Sequence, residues 1–181
     1  MSPSKLQHNW DSGWALLRAR WYFRRATRLG SRVRLWGKPS VTNDGTLIIG
    51  ERVRLVSTIA TVEIGVEAGA TLEIGKRVFI NYGCSLGATE LIRIGPNCNI
   101  GTHVMMIDND FHRLDPELRN ERPSSAPIIL EENVWLGARV IVLRGVTIGA
   151  GSVIGAGSVV ARDIPPRSLA VGVPAKVVRV L

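Results

Sequence analysis

An apolar residue returns at every sixth position through much of this 181-residue chain. Leu130, Leu136, Val142, Ile148, Ile154 and Val160 stand in register, inside units such as LGARVI and IGAGSV. The same step runs upstream through Ile74, Ile80 and Leu86 and, after a short phase slip, through Ile94, Ile100 and Met106; Ile49, Leu55 and Ile64 open earlier units. Three such units make one coil with three short faces. Each face is a brief strand whose apolar side chain enters a narrow prism, and Gly, Asn or Asp turns the corner. Adjacent coils pair backbone to backbone at roughly 4.8 Å. The period therefore predicts an all-β fold, a parallel β-helix.

Composition fits a narrow interior. There are only three Phe and two Tyr, so Ile, Val and Leu must build the core, while 19 Gly without a collagen triplet indicate many turns. Cys84 and Cys98 give no disulfide framework and no CxxC spacing. Each falls at the small core position of a unit, four residues after Ile80 and Ile94, and is expected to be an inert buried thiol. The net charge of +8 favours an anionic partner. Zinc-finger spacing, a long basic tail and the interleaved aromatic and basic residues of an RNA-binding surface are all lacking, so no nucleic-acid partner is expected. No stretch reads as a secretory signal or reaches transmembrane length, which makes the cytoplasm the expected compartment.

Between Met106 and Leu130 the apolar pattern lapses. This stretch carries Asp108, Asp110, His112, Asp115, Glu117, Arg119, Glu121 and Arg122. A solenoid accommodates such an insertion as a loop from one corner, and loops of this kind often build a binding face. Residues 108–127 are therefore expected to protrude.

The repeat units from about Val41 to Leu181 resemble those of the left-handed β-helix acyltransferases. The left hand is implied by this resemblance and not by the period. Within the break, His112-Arg-Leu-Asp-Pro-Glu-Leu-Arg119 resembles the HxxxxELR segment of the galactoside, maltose and nodulation-sugar O-acetyltransferases. There the histidine is the general base, and the match falls on His112. An imidazole near its ordinary pKa suits removal of a hydroxyl proton. Its second nitrogen needs a partner to hold the tautomer, for which Asp110, Asp108 and a backbone carbonyl are the options. His103, in GTHV, does not match the base and is expected at the surface or a subunit seam.

The resemblance assigns further residues. Asn81, in INYGCS, matches an asparagine that contacts the acceptor beside the histidine, although Asn also turns β-helix corners well. Trp135 and Asp110 are expected near the acceptor. A carboxylate that holds the sugar in galactoside enzymes is replaced by Thr89, next to Glu90. The stretch ARDIPPRSLAVGVPAKVVRVL resembles the family's closing motif, with Pro165 and Pro166 expected to end the coil. Ala138 and Ala156 match residues lining the pantetheine arm of coenzyme A, and Arg162, Lys176 and Arg179 match basic residues near its phosphates.

The implied activity is O-acetyl transfer from acetyl-CoA to a hydroxyl of a sugar or polysaccharide precursor, by direct attack in a ternary complex, on a homotrimer. Alternatives are another acceptor (serine, an antibiotic or an amino sugar) and a trimeric scaffold without catalysis. No metal is expected. The zinc carbonic anhydrases on a similar prism need three clustered histidines, and this chain has only His8, His103 and His112.

Ahead of the repeats, DSGWALLRARWYFRRATRL predicts an amphipathic helix over 11–29, begun by Asp11 or Ser12, with Trp10, Trp14, Leu17 and Trp21 near one stripe. It is expected to cap the first coil, the alternative being peripheral contact with an anionic membrane. The organisation expected is thus a helical cap over 1–40 and an acyltransferase β-helix over 41–181.

Overall fold

The computed structural model describes residues 3–181, with side chains from Gly13 onward. Three sheets form the walls of a prism. The first holds Arg28–Leu29, Thr46–Ile49, Thr71–Ile74, Leu91–Ile94, Ile128–Leu130 and Thr147–Ile148. The second holds Arg34–Gly37, Arg54–Ser57, Phe79–Ile80, Asn99–Ile100, Trp135–Leu136, Val153–Ile154 and Ser168–Gly172. The third holds Ser40–Asn43, Glu63–Val66, Ser85–Ala88, Met105–Ile107, Ile141–Val142 and Val159–Val160. The chain visits the sheets in rotation, and every pairing between these strands is parallel. The parallel β-helix is as the period predicts.

The six-residue step becomes three vertical ladders. Ile49 stacks on Ile74, Ile94, Leu130 and Ile148 in the first sheet. Leu55, Ile80, Ile100, Leu136 and Ile154 align in the second, and Ile64, Leu86, Met106, Val142 and Val160 in the third. All are buried. At roughly 1.5–3 kcal/mol for each large apolar side chain, these ladders are the principal favourable term in the fold. Cys84 and Cys98 occupy the small inward positions, as expected, and are fully buried.

Asn and Gly turn some corners, as expected from the sequence, but arginine turns others. At the edge joining the first sheet to the second, Arg32, Arg52, Arg77, Asn97, Asn133 and Arg167 all adopt left-handed φ of 55–62°. The reason lies in the stacking. From Arg52 onward each such residue donates its N–H to a carbonyl of the preceding coil, as Arg77 does to Glu51 and Asn133 does to Pro96. That repeated bond offsets the cost of about 1–2 kcal/mol for a non-glycine residue there.

Two boundary expectations are corrected. The helix α1 spans Pro3–Tyr22, not 11–29, and Asp11 and Ser12 lie inside it. Arg28–Leu29 already pairs with Ile48–Ile49, so the coils begin before residue 41. The helix does cover the first coil, but through Ala15, Ala19 and Phe23, all at most 2% exposed. Small side chains let the helix lie close to Arg34–Gly37, where the Arg18 guanidinium donates to Leu35 O at 3.4 Å. The expected apolar stripe faces outward instead: Trp14, Leu17 and Trp21 are 58, 54 and 67% exposed. Trp10 and His8 lie outside the residues whose side chains are described. At the other end, Pro165 and Pro166 do not stop the coil. They shape its last corner, since Ser168–Gly172 still pairs parallel with Val153–Ile154. Ala175–Val180 then folds back antiparallel and covers the open edge of the second sheet.

Candidate active site

The loop expected over 108–127 leaves the edge between the third and first sheets, and it is riveted at its root. Asp108 is fully buried. Its carboxylate accepts from the N–H groups of Thr89 (2.7 Å), Glu90 (2.8 Å) and Leu91 (2.7 Å) and from Thr89 Oγ1 (2.6 Å). The phase slip one coil earlier and the break are thus two halves of one device: Asp108 satisfies the amides of the residues that depart from the period. Asn109 Nδ2 donates to Pro123 O and Ser125 Oγ, and Ala126 N–H to Asp108 O, closing the loop's neck. Farther out, Arg122 makes a two-pronged ion pair with Glu67 at 2.8 and 2.9 Å, its guanidinium 5.2 Å from the Phe111 ring centroid.

This frame holds His112 in the open. Its Nδ1 lies 2.9 Å from the carbonyl oxygen of Arg119. A carbonyl can only accept, so Nδ1 carries the hydrogen and the lone pair of the neutral ring resides on Nε2. Of the three orienting groups open in the sequence, the backbone carbonyl is the one in place. Asp108 is engaged with the 89–91 amides, and Asp110 forms an ion pair with Arg144. A cavity of about 270 Å³ beside the imidazole is lined by Asp110, Arg113, Leu114, Pro123, Ser124 and Arg144.

Asn81 stands on a different edge, between the second and third sheets. Its side-chain oxygen accepts from Tyr82 N–H at 2.9 Å, a local turn. Asn81, Gly101, Gly137 and Gly155 follow one another along this edge, each donating its N–H to the next coil at 2.8–3.0 Å. The coils press so closely that a Cβ on Gly137 would lie 2.6 Å from the Ala156 amide nitrogen. Ala138 and Ala156 follow the glycines and leave the edge unobstructed. Half-exposed Trp135 flanks it on the second sheet, and Lys176, paired with Val171, and Arg179, paired with Leu169, stand at its C-terminal end. His103 is a corner residue here, at φ 56°, donating its N–H to Tyr82 O and meeting the Tyr82 ring edge-on at 5.6 Å.

The structure thus sets Asn81, Ala138, Ala156 and Trp135 along one edge, in successive coils, and Asp110 and His112 on another. Arg162 follows Val160 on the edge of the loop, away from Lys176 and Arg179. The two edges of one chain are separated by the width of the third sheet, roughly 20 Å at 3.3 Å per residue. Neither thiol is a nucleophile. Burial pushes Cys84 and Cys98 up to about 11, and each sulfur donates to a backbone carbonyl at 3.1 Å. Among the described residues no group of His, Cys, Asp and Glu is arranged to hold a metal ion.

Sequence reasoning did not anticipate Arg144 in the cavity or the Arg119 carbonyl as the partner of His112. It offered Asp108 as a loop residue and as a partner for His112, not as the acceptor for the 89–91 amides. The coincidence of a phase slip and an insertion at the same corner of successive coils was the available signal for its role.

Residues 127–162 match the family model described as bacterial transferase hexapeptide (six repeats). The galactoside O-acetyltransferase of Escherichia coli K12 is 38% identical over 144 residues, 78% of this chain and 70% of that protein. A Schizosaccharomyces pombe protein, named for an inferred acetyltransferase activity, is 48% identical over 112 residues, 61% of this chain and 54% of the relative. The chain thus spans about half the length of that relative. A hexapeptide-repeat acetyltransferase of Vibrio cholerae O1 biovar eltor, solved with acetyl coenzyme A, superposes with a TM-score of 0.63 at 25% identity, over 99% of this chain and 90% of that one. The matched repeats include the coils bearing Trp135, Ala138 and Ala156, and with the extent of likeness to the E. coli enzyme they establish that the chain belongs to the hexapeptide-repeat acetyltransferase family.

Proposed function

We propose that the protein moves acetyl from acetyl-CoA to a hydroxyl of a sugar or of a sugar-containing polysaccharide precursor, with His112 as general base. The observation that carries this reading is the His112 ring, fixed through Nδ1 by the Arg119 carbonyl and exposed beside an open cavity. In the reaction, Nε2 takes the proton of the acceptor hydroxyl as its oxygen attacks the thioester carbon. The carbon–sulfur bond then breaks, and the imidazolium returns the proton to the departing thiolate. The attack is direct, because both cysteines are buried and protonated. Acetyl-CoA is the donor by analogy with the V. cholerae relative, and the sugar class by analogy with the galactoside enzyme. The reaction belongs in the cytoplasm, where acetyl-CoA is made.

The pantetheine arm would lie along the edge of Ala138 and Ala156, with Arg162, Lys176 and Arg179 as the phosphate contacts and Asn81, Trp135 and Asp110 toward the acceptor. Since Asn81 and His112 stand on different edges, one chain does not assemble a whole site. A homotrimer would complete three, each setting the loop of one subunit against the small-residue edge of the next, and on this arrangement Arg162 contributes from the loop's side.

The test is thiol release from acetyl-CoA against a panel of sugars, nucleotide sugars, oligosaccharides, serine and amino sugars, comparing native protein with His112→Ala. The reading requires acceptor-dependent release that collapses in the variant. Failure to bind coenzyme A at all would contradict it.

A further inference from the structure

The whole net charge of the molecule sits at one end. Residues 12–43 contain seven arginines, one lysine and no Asp or Glu, and so carry +8, the formal charge of the entire chain. From Asp44 to Leu181 fourteen basic residues balance fourteen acidic ones, and Lys5 balances Asp11. Whatever anion this charge serves, it is met at the N-terminal end of the prism.

On the same end lies apolar surface that the fold does not use. Helix α1 meets the first coil through Ala15 and Ala19, with Phe23 just after it, and all three are buried. Trp14, Leu17 and Trp21, spaced three and four apart, remain as one exposed stripe on the outer face. Exposed Arg20, Arg24 and Arg25 flank it. The Arg24 guanidinium sits 4.9 Å from the Trp21 ring centroid and donates to Trp21 O at 2.9 Å, joining charge and indole in one unit. Among the described residues, none of these arginines forms an ion pair within the chain.

We infer that this face of α1 docks on an anionic lipid bilayer. The pattern is that of a helix lying in the membrane plane, with tryptophans at headgroup depth and cations against anionic headgroups. It explains both halves of the observation. Nucleic acid would reward the arginines but gives Leu17 and the outward indoles no apolar phase to enter. No helix among the described residues is long and apolar enough to cross a membrane, so the contact is peripheral. The inference is independent of the acetyl-transfer reading, because it uses none of that site's residues.

The experiment is vesicle flotation of the full-length protein, with phosphatidylcholine vesicles either pure or doped with phosphatidylglycerol. Native protein should float with the doped vesicles, with a blue shift in tryptophan emission, and should dissociate as salt is raised from about 0.15 M to about 1 M. Trp14→Ala/Trp21→Ala and Arg24→Gln/Arg25→Gln should each weaken partitioning by about tenfold or more, with sedimentation size and coenzyme A binding unchanged as proof of folding. Three results would overturn the proposal: no flotation of native protein; a changed assembly size in the tryptophan variant, which would make the stripe a subunit seam; or tight binding to a single-stranded oligonucleotide that needs the arginines and is indifferent to the tryptophans.

Discussion

The coils and the 108–127 loop solve the same problem by opposite means. In the coils the backbone bonds repeat from one turn to the next, and inward side chains recur in register: Val62, Cys84, Val104 and Val140 hold the same small place in successive turns of the third sheet. Stability is spread over many interchangeable contacts. In the loop nothing repeats. Its position depends on a few individual groups, namely Asp108 at the root, the Arg122–Glu67 pair on the flank and the Arg119 carbonyl beneath His112. A repetitive scaffold thus tolerates a unique loop because the loop returns to the coil register at Ile128. Stability and chemistry can then fail separately.

The sharpest separation is expected at His112. His112→Ala should lower turnover by about 10²–10⁴-fold while acetyl-CoA affinity, measured by calorimetry, and the melting temperature stay near native. A comparable loss of cofactor affinity would mean that the loop and the cofactor edge are not distinct. The next largest effect is in the coils. Leu136→Ala should cost about 2–5 kcal/mol of unfolding free energy, whereas Leu114→Ala, at a loop side chain 95% exposed, should change it by under about 0.5 kcal/mol. Urea titrations of the two variants side by side measure this.

Asp108 probes the seam between the regions. Asp108→Ala leaves the amides of Thr89, Glu90 and Leu91 without their buried acceptor, an expected loss of about 1–3 kcal/mol, together with reduced turnover because His112 loses its rigid mounting. Hydrogen exchange should show new lability confined to 89–91 and 108–127. The smallest effect concerns the thiols. Burial raises both from 9.0 to about 11, so the unfolded chain ionises first. Their contribution is complete below pH 9 and is lost as the pH rises toward about 11. Cys84→Val/Cys98→Val, which installs the residue found at equivalent places, should change stability at neutral pH by under about 1 kcal/mol and flatten the alkaline loss. Unfolding midpoints across that pH range decide it.

Regularity also governs what the sequence discloses. The ladders, the three-sheet prism and the inward cysteines are legible because a period of six admits one assignment of inside and outside. The arginine corners are not, since Arg at left-handed φ is recognisable only once the stacked carbonyl that holds it is known. The outward Trp14, Leu17 and Trp21 read as a packing stripe because amphipathic spacing identifies a face and not its direction. The smaller Ala15 and Ala19 won the interface by allowing closer approach. For the site, sequence points to His112 and Asn81 one at a time. That they stand on different edges follows only from which sheets their strands join, and the Arg119 carbonyl leaves no sequence mark.

That separation of edges is the centre of the account, and subunit mixing tests it most directly. His112→Ala removes the base from one edge, and Ala156→Trp, at an exposed position, obstructs the other. Each variant alone should be inactive. Co-assembled from differently tagged chains in equal amounts, they should regain about a quarter of native turnover, the fraction of seams that join an intact loop to an intact edge. If the mixed assemblies form and activity stays at the level of the parent variants, each site is made within one chain and the account fails.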